Sequence, residues 1–309
     1  MVGYIIKRLA YMCLTMLVII TLTFGIVKLL PGSPYQNAAK LTEAQIEALN
    51  EQYGLDDPIP VQYVRYLGNV VTGEFGISFQ FDGRSVGTII GNKLPVSVQL
   101  GLESVIVGTI IGIVLGAIAA LRKGGILDYG TTLFAVLGIS IPSFIFAMLL
   151  QYVFALKLDL LPLAYWTSWQ HHIMPVASLS VMFIALIARY MRTELVEVMG
   201  SDYITTAKAK GLRKSTVITK HSIRNALIPI VTIIGPATAS IVTGSLVIEQ
   251  IFAIPGIGDA FVNAIFTNDY PVIMGTTILF ALFFVVAIFL TDMVYGIIDP
   301  RIRLAGGDS

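Results

Sequence analysis

One cysteine, Cys13, in 309 residues leaves no partner for an internal disulfide and no second thiolate for a metal cluster. Charge is scarce too. Asp, Glu, Lys and Arg make up 13% of the chain, about half of the roughly 25% usual in soluble domains. The net charge of +1 supplies no basic excess for holding nucleic acid. No Gly-x4-Gly-Lys-Ser/Thr phosphate loop occurs: Lys214-Ser215 follows Arg213 rather than a glycine, so the chain has no recognisable ATP site of its own. A membrane-embedded enzyme would need a convergent catalytic set at depth, and no Ser/Lys, His/Glu or paired-Asp arrangement stands out. The two halves show no evident repeat of the kind found in ion-gradient-driven secondary transporters.

What is abundant is apolar side chain: 56% of residues are hydrophobic and the mean hydropathy is +0.82. About 20 consecutive apolar residues cross a bilayer core as a helix, and six runs qualify, at 9–30, 98–121, 131–156, 173–192, 227–250 and 272–298. Lys7 and Arg8 before the first run resemble the start of a secretory signal. The run is long and has no Ala-x-Ala cleavage site, so it reads as a retained first helix. Thirteen of the twenty basic residues fall on one side of a six-span arrangement: Lys7, Arg8, Arg122, Lys123, the group from Arg192 to Arg224, Arg301 and Arg303. The positive-inside rule then places both termini in the cytoplasm. The expected organisation is all-α and polytopic: an N-terminal span over 1–30, an extracytoplasmic segment over 31–97, a five-span core over 98–300 and a cytoplasmic tail over 301–309.

The outer segment carries a formal charge of −3. Thr42 and Gln45 form a capping-box pattern, Leu41 and Ile46 are spaced as a hydrophobic staple, and Gly54 can end the helix they begin. Ile46, Leu49 and Tyr53 give that helix one apolar stripe. A surface helix folded onto the spans and a docking surface for an external partner both fit this pattern.

Within the spans, Ser104, Gly108, Gly112, Gly116 and Ala120 recur every four residues, a row that lets another helix approach closely. Pro142 removes an N–H and predicts a kink in the third span. Pro229 and Pro236, with Gly235, Ala237, Ala239, Ser240 and Gly244, make the fifth span small and interrupted. Glu103, Arg189, Glu249 and Asp292 lie in or at the ends of spans, where a charge costs at least about 2.5–3.5 kcal/mol unless it faces protein or water. Gln99, Glu103, Ser140, Pro142 and Glu249 are the candidate residues of a solute path. Asp292 can pair instead with a nearby basic residue. His171 and His172 are adjacent and lack the spacing that would bring two ligands to one metal ion, so they read as an interfacial loop.

The segment 193–226, TELVEVMGSDYITTAKAKGLRKSTVITKHSIRNA, reads as two short helices hinged at Gly211, the first capped by Asp202. With Arg192 it carries +4, which topology alone would explain. Topology does not explain the small patch Thr205, Thr206, Ala207 and Ala209 before a glycine, a compact knob suited to a partner's groove.

Here the chain resembles the membrane subunits of ATP-binding-cassette importers, and specifically the B-type permease of the dipeptide/oligopeptide (and nickel) importer family. DYITTAKAKGL at 202–212 and HSIRNALIP at 221–229 look like that family's coupling loop. YIIKRL (4–9), LLPGSP (29–34), YGLDDPIPVQY (53–63), GEFGIS (73–78) and KLPVSVQL (93–100) follow the family's order. So do GISIPSF (138–144), VIEQIFAIPGIG (247–258), DYPVIMG (269–275) and DPRIR (299–303). Importers at large are expected to read Glu-Ala-Ala where this chain has Thr205, Thr206 and Ala207, a departure usual in the peptide branch.

The resemblance implies a type I importer permease fold and a coupling surface made of Asp202, Tyr203, Thr205, Thr206, Ala207, Lys208, Ala209, Lys210 and Gly211. It also implies a second homologous permease, two cytoplasmic ATPase subunits that bind ATP and Mg, an extracytoplasmic peptide-binding protein and a bilayer of membrane lipid as partners. The expected location is a bacterial inner membrane. No cofactor, metal or catalytic residue is expected in this chain.

Overall fold

The computed structural model describes residues 2–29, 42–81 and 83–298. Its elements are α1 (Val2–Leu29), α2 (Glu43–Tyr53), α3 (Ile59–Thr72), α4 (Val86–Leu121), α5 (Ile126–Ser140), α6 (Ser143–Leu150), α7 (Trp169–Met199) and α8 (Asp202–Ala209). They continue with α9 (Lys214–Thr216), α10 (Arg224–Gly244), α11 (Leu246–Ile251), α12 (Ile257–Thr267) and α13 (Tyr270–Ile298). Two π-helical stretches join them, Gln151–Lys157 after α6 and Val217–Ile223 between α9 and α10. The described residues contain one isolated antiparallel bridge, Ile77 with Ser85, and no β-strand.

Four helices are long and apolar enough to cross a bilayer: Gly3–Leu29, Val86–Leu121, Trp169–Met199 and Tyr270–Leu290. The pair Ile126–Ser140 and Ser143–Lys157 meets the same criterion only when taken together, and its two directions differ by 104°, the geometry of a broken span or a re-entrant loop. Pro142 causes this break, and the effect is larger than the kink expected from sequence. It sits in extended conformation (φ −57°, ψ 138°) as the N-cap of α6, outside both helices. The run expected at 227–250 is helical over Arg224–Gly244 and breaks at Ser245 before α11.

The chain forms two compact units, residues 1–97 with 255–289, and 98–254 with 290–309. Residues 255–289 pack with the N-terminal segment. In the first unit, Val86, Ile89 and Ile90 of α4 share a buried cluster with Ile257, Ala260 and Ala264 of α12 and Val272 and Ile273 of α13. Gly256 has no side chain to cap α12. The buried Ser97 hydroxyl takes that role, accepting from the Ile257 N–H at 2.8 Å. Asp269 does the same work before α13: it is buried, and the Ser78 hydroxyl and the Phe79 N–H donate to its carboxylate. Burial pushes the Asp269 carboxyl above its ordinary range despite those hydrogen bonds. Around α2, the Thr42–Gln45 capping box forms in both directions and Gly54 ends the helix at φ +63°. Leu41, and the side chains of Leu49 and Tyr53, lie outside the described residues, as do the Asp292 side chain and the 301–309 tail.

The second unit is organised on α7. The small-residue row of α4 faces it: a Cβ added at Gly112 would stand 2.7 Å from Ile187 Cβ, and one at Gly116 2.5 Å from the Ala188 carbonyl oxygen. Ser180 donates across the seam to the Ser104 carbonyl at 3.0 Å. On α5, Gly138 meets Ala185 in the same way. Gly116→Leu should therefore force the two backbones apart, at about 1–3 kcal/mol, and lower the apparent Tm of the detergent-purified protein. Gly130→Ala, where nothing lies within 4 Å, should leave the Tm unchanged or slightly raised.

Candidate functional site

Between α7 and α10 the chain folds a short helix onto the start of the next span. Gly200 ends α7 and Ser201 is the N-cap of α8. The Ser201 hydroxyl turns back to the Val198 carbonyl at 2.6 Å instead of capping. Asp202, expected as the cap, is the first helical residue. Its exposed carboxylate favours the helix N-terminus electrostatically.

At the other end, the Gly211 N–H donates to the Lys208 carbonyl and the Leu212 N–H to the Ala207 carbonyl, at 3.0 and 3.3 Å. Gly211 stands at φ +74°. This is a Schellman closure, and it requires the left-handed conformation that glycine adopts without cost. The second helix is not short: from Lys214 it continues through the π stretch into the span.

Ile204 and Ala207, three residues apart and so on one face, are buried with Val217 in a small cluster that Val198 also touches. A cavity of about 330 Å³ beside it is lined in part by Ile204, Leu212, Val217 and Ser222. The opposite face presents Asp202, Tyr203, Thr205, Thr206, Lys208, Ala209, Lys210 and Gly211 to solvent. Of the nine expected coupling residues, Ala207 alone points inward, where it seats the helix rather than extending its surface. The Tyr203 hydroxyl accepts from Asn225 at 3.2 Å, and Asn225 also donates to the His221 carbonyl at 2.7 Å. These bonds fasten the outward face to the π stretch.

Three expected path residues stand apart from one another. Ser140 donates to the Val136 carbonyl at 2.7 Å and lines a groove of about 470 Å³ between α5 and α7. Pro142 occupies the break after α5. Glu249 is fully buried, accepting from the Ser245 hydroxyl at 2.6 Å within its own turn. Gln99 and Glu103 do come together, with Gln99 donating to the Glu103 carboxylate at 2.8 Å.

Glu103 also pairs with His172 Nδ1 at 2.9 Å, and the imidazole stacks on Trp166 at 3.6 Å and 12°. His171 turns instead to Ser168 at 2.8 Å, so the two histidines diverge. Sequence reasoning did not find the ion pair of Asp128 with Arg192, two parallel bonds of 2.9 Å around a carboxylate that is 5% exposed. Gly124 N–H donates to the same carboxylate at 2.9 Å. The partners are 64 residues apart, so no local pattern links them.

Residues 112–304 match the family described as the binding-protein-dependent transport system inner membrane component, and residues 1–101 match that family's N-terminal region. The chain belongs to this family. It is a permease subunit of an importer assembly and not its catalytic part. Among relatives, it is 49% identical over 304 residues to the dipeptide transport system permease protein DppB of Bacillus subtilis, covering 98% of this chain and 99% of that one. It is 39% identical over 305 residues to the oligopeptide transport system permease protein OppB of Haemophilus influenzae, covering 98% and 100%. A solved structure of the MetNI methionine ABC transporter shares the fold, with a TM-score of 0.56 and 17% identity over 68% of this chain and 96% of that one.

For the permease, the seat of α8 makes a direct prediction. Ala207→Leu adds three carbons where Ile204 and Val217 already meet and should cost about 1–3 kcal/mol locally. Limited proteolysis should then cut faster within 201–212, whereas Thr206→Leu, on the exposed face, should leave the cleavage rate unchanged.

Proposed function

We propose that this permease forms one half of a peptide-translocating path in a bacterial inner membrane, driven by ATPase subunits that dock on α8. The observation that carries the docking assignment is the build of α8. It is an eight-residue helix whose buried pair holds it to the next span while its other side chains are left to solvent. A helix made only to connect two spans needs no such seat.

The peptide cargo is supported by the names of relatives that match along nearly their whole length, dipeptide permeases at 49% and 46% identity and oligopeptide permeases at 37–39%. The other components are a second homologous permease, two ATPase subunits holding ATP and Mg, and an extracytoplasmic peptide-binding protein. The distribution of basic residues supports cytoplasmic termini and a cytoplasmic α8.

Movement of a docked ATPase reaches the bundle through Ile204 and Ala207 on Val217, and from the π stretch into α10. The assembly is then a two-state element, biased at one end by nucleotide and at the other by loaded binding protein. Glu103, Gln99 and Ser140 are the described polar residues proposed for the path. Glu249, fully buried beside Ser245, is proposed to support that path rather than to line it.

Reconstitution tests both parts. The four-component complex should take up labelled dipeptide only with ATP and binding protein, and uptake by this chain alone along an ion gradient would contradict the assignment. Thr206→Trp, which enlarges the exposed face without touching the seat, should reduce uptake by about tenfold or more, equivalent to about 1.4 kcal/mol of docking or coupling. Its abundance in the membrane and its Tm should stay unchanged. Normal uptake by Thr206→Trp would remove α8 from the coupling route.

A further inference from the structure

We propose that α3 is an interfacial helix seated in the outer leaflet, with Val61, Val64, Gly68 and Val71 lying among lipid acyl chains. The placement in the outer leaflet rests on the orientation proposed above; the seat in the bilayer interface rests on α3 itself.

At about 100° per residue, α3 has three faces rather than two. Tyr63, Tyr66, Leu67 and Val70 occupy one sector and pack on Ile20 and Phe24 of α1 and Ile278 of α13. Gln62, Arg65, Asn69 and Thr72 occupy the next, a polar face. Val61, Val64, Gly68 and Val71 fill the third, and the valines are 46%, 67% and 87% exposed. An ordinary surface helix would place polar residues there.

Contacts with α1 give the depth of each face. Gln62, on the polar face, accepts from Lys28 beside the end of α1. Tyr63, one step round the helix, shares a hydrogen bond of 2.6 Å with Thr21 and packs on Phe24. Thr21 lies seven residues further along α1, about 10 Å deeper at 1.5 Å per residue. Passing from the polar face through the buried one therefore descends into the bilayer, and the exposed valines lie beyond.

The polar face looks the other way, toward charge. Gln62 also donates to the Leu55 and Asp57 carbonyls at 2.9 and 2.7 Å, binding α3 to the acidic turn Asp56-Asp57. Arg65, the one charged residue of α3, reaches back over Gly54 to pair with Asp57. A Cβ at Gly54 would stand 2.0 Å from its guanidinium. A cation two turns into an apolar helix that extends toward an acidic turn behaves as a side chain reaching for water.

Lipid fits the valine face because the contacts with α1 put that face below the level at which Gln62 meets Lys28. On α1, Val18, Leu22 and Ile26 recur every four residues on the side turned away from α3 and are 48%, 59% and 60% exposed, the apolar face expected of a helix that crosses lipid. A helix with one polar face and one apolar face at this depth has the build of an interfacial helix, whose apolar side enters about 5–10 Å into the acyl boundary.

The test uses the full complex carrying Cys13→Ser, in right-side-out membrane vesicles, with nitroxide labels at Val64→Cys, Val71→Cys or Asn69→Cys one at a time. Collision with oxygen, which concentrates in lipid, is compared with collision with a water-soluble nickel chelate. At Val64 and Val71 nickel collision should be lost relative to Asn69, with oxygen collision high and the labels mobile. Nickel access at the valines equal to that at Asn69 would place the face in water and overturn the proposal. Immobile labels shielded from both reagents would show a protein partner there and overturn it as well. External ascorbate should reduce the Asn69 label; reduction only from the cytoplasmic side would overturn the orientation while the collision data still reported on the interfacial seat.

Discussion

In hydrocarbon, apolar surface gives helices no reason to prefer each other over lipid, so association depends on how closely backbones approach and on which polar groups find partners. Helix α7 answers both requirements for the second unit. Gly108, Gly112 and Gly116 of α4 lie against Phe183, Ile187, Ala188 and Met191, and Gly138 of α5 lies against Val181 and Ala185. Polar groups then fix the register at intervals along α7: His172 to Glu103, Ser180 to the Ser104 carbonyl, and Arg192 to Asp128. A buried charge pair such as Asp128–Arg192 adds little net stability, because desolvation offsets most of its attraction. What it does is penalise every sliding arrangement that would separate the partners.

The place of α8 follows from that axis. It starts two residues beyond Gly200, the end of α7, and rests on Val217, where the chain turns back toward the membrane. Its position is therefore tied to the glycine seam and to the Asp128–Arg192 pair through one rigid helix. On the far side, Val217 opens a π-helical stretch that Ser222 reinforces, donating from its buried hydroxyl to the Val217 carbonyl at 3.0 Å. Helix α8 meets the bundle at two places, the Gly200–Ser201 turn that joins it to α7 and Val217, which opens the π stretch leading into α10.

Features with a local cause were legible in the amino-acid order. The capping box at Thr42 and Gln45, the helix end at Gly54, the break at Gly211 and the four-residue row in α4 each depend on residues within one or two turns. Pro142 announced an interruption, although not the size of the 104° turn. Features set by distant contacts were not legible. Ala207 looks like part of a small exposed knob until Val217, ten residues on, covers it. Asp128 and Arg192 carry no mutual signal across 64 residues. Charge counting over the outer segment concealed α3, whose two apolar faces average out against the acidic turn before it. The π stretches have no compositional mark, and the bond from Ser222 to the Val217 carbonyl lies within the stretch it reinforces.

We propose that the exposed face of α8 is covered by an ATPase subunit. Hydrogen exchange on the purified permease, alone and in the assembled complex, addresses it most directly. Amides from Tyr203 to Leu212 should exchange slowly in the complex and faster in the permease alone, with those of α7 from Phe183 to Ala188 equally protected in both. Equal exchange at Tyr203 to Leu212 with and without the ATPase would show that the helix is a connector and that the two proteins meet elsewhere.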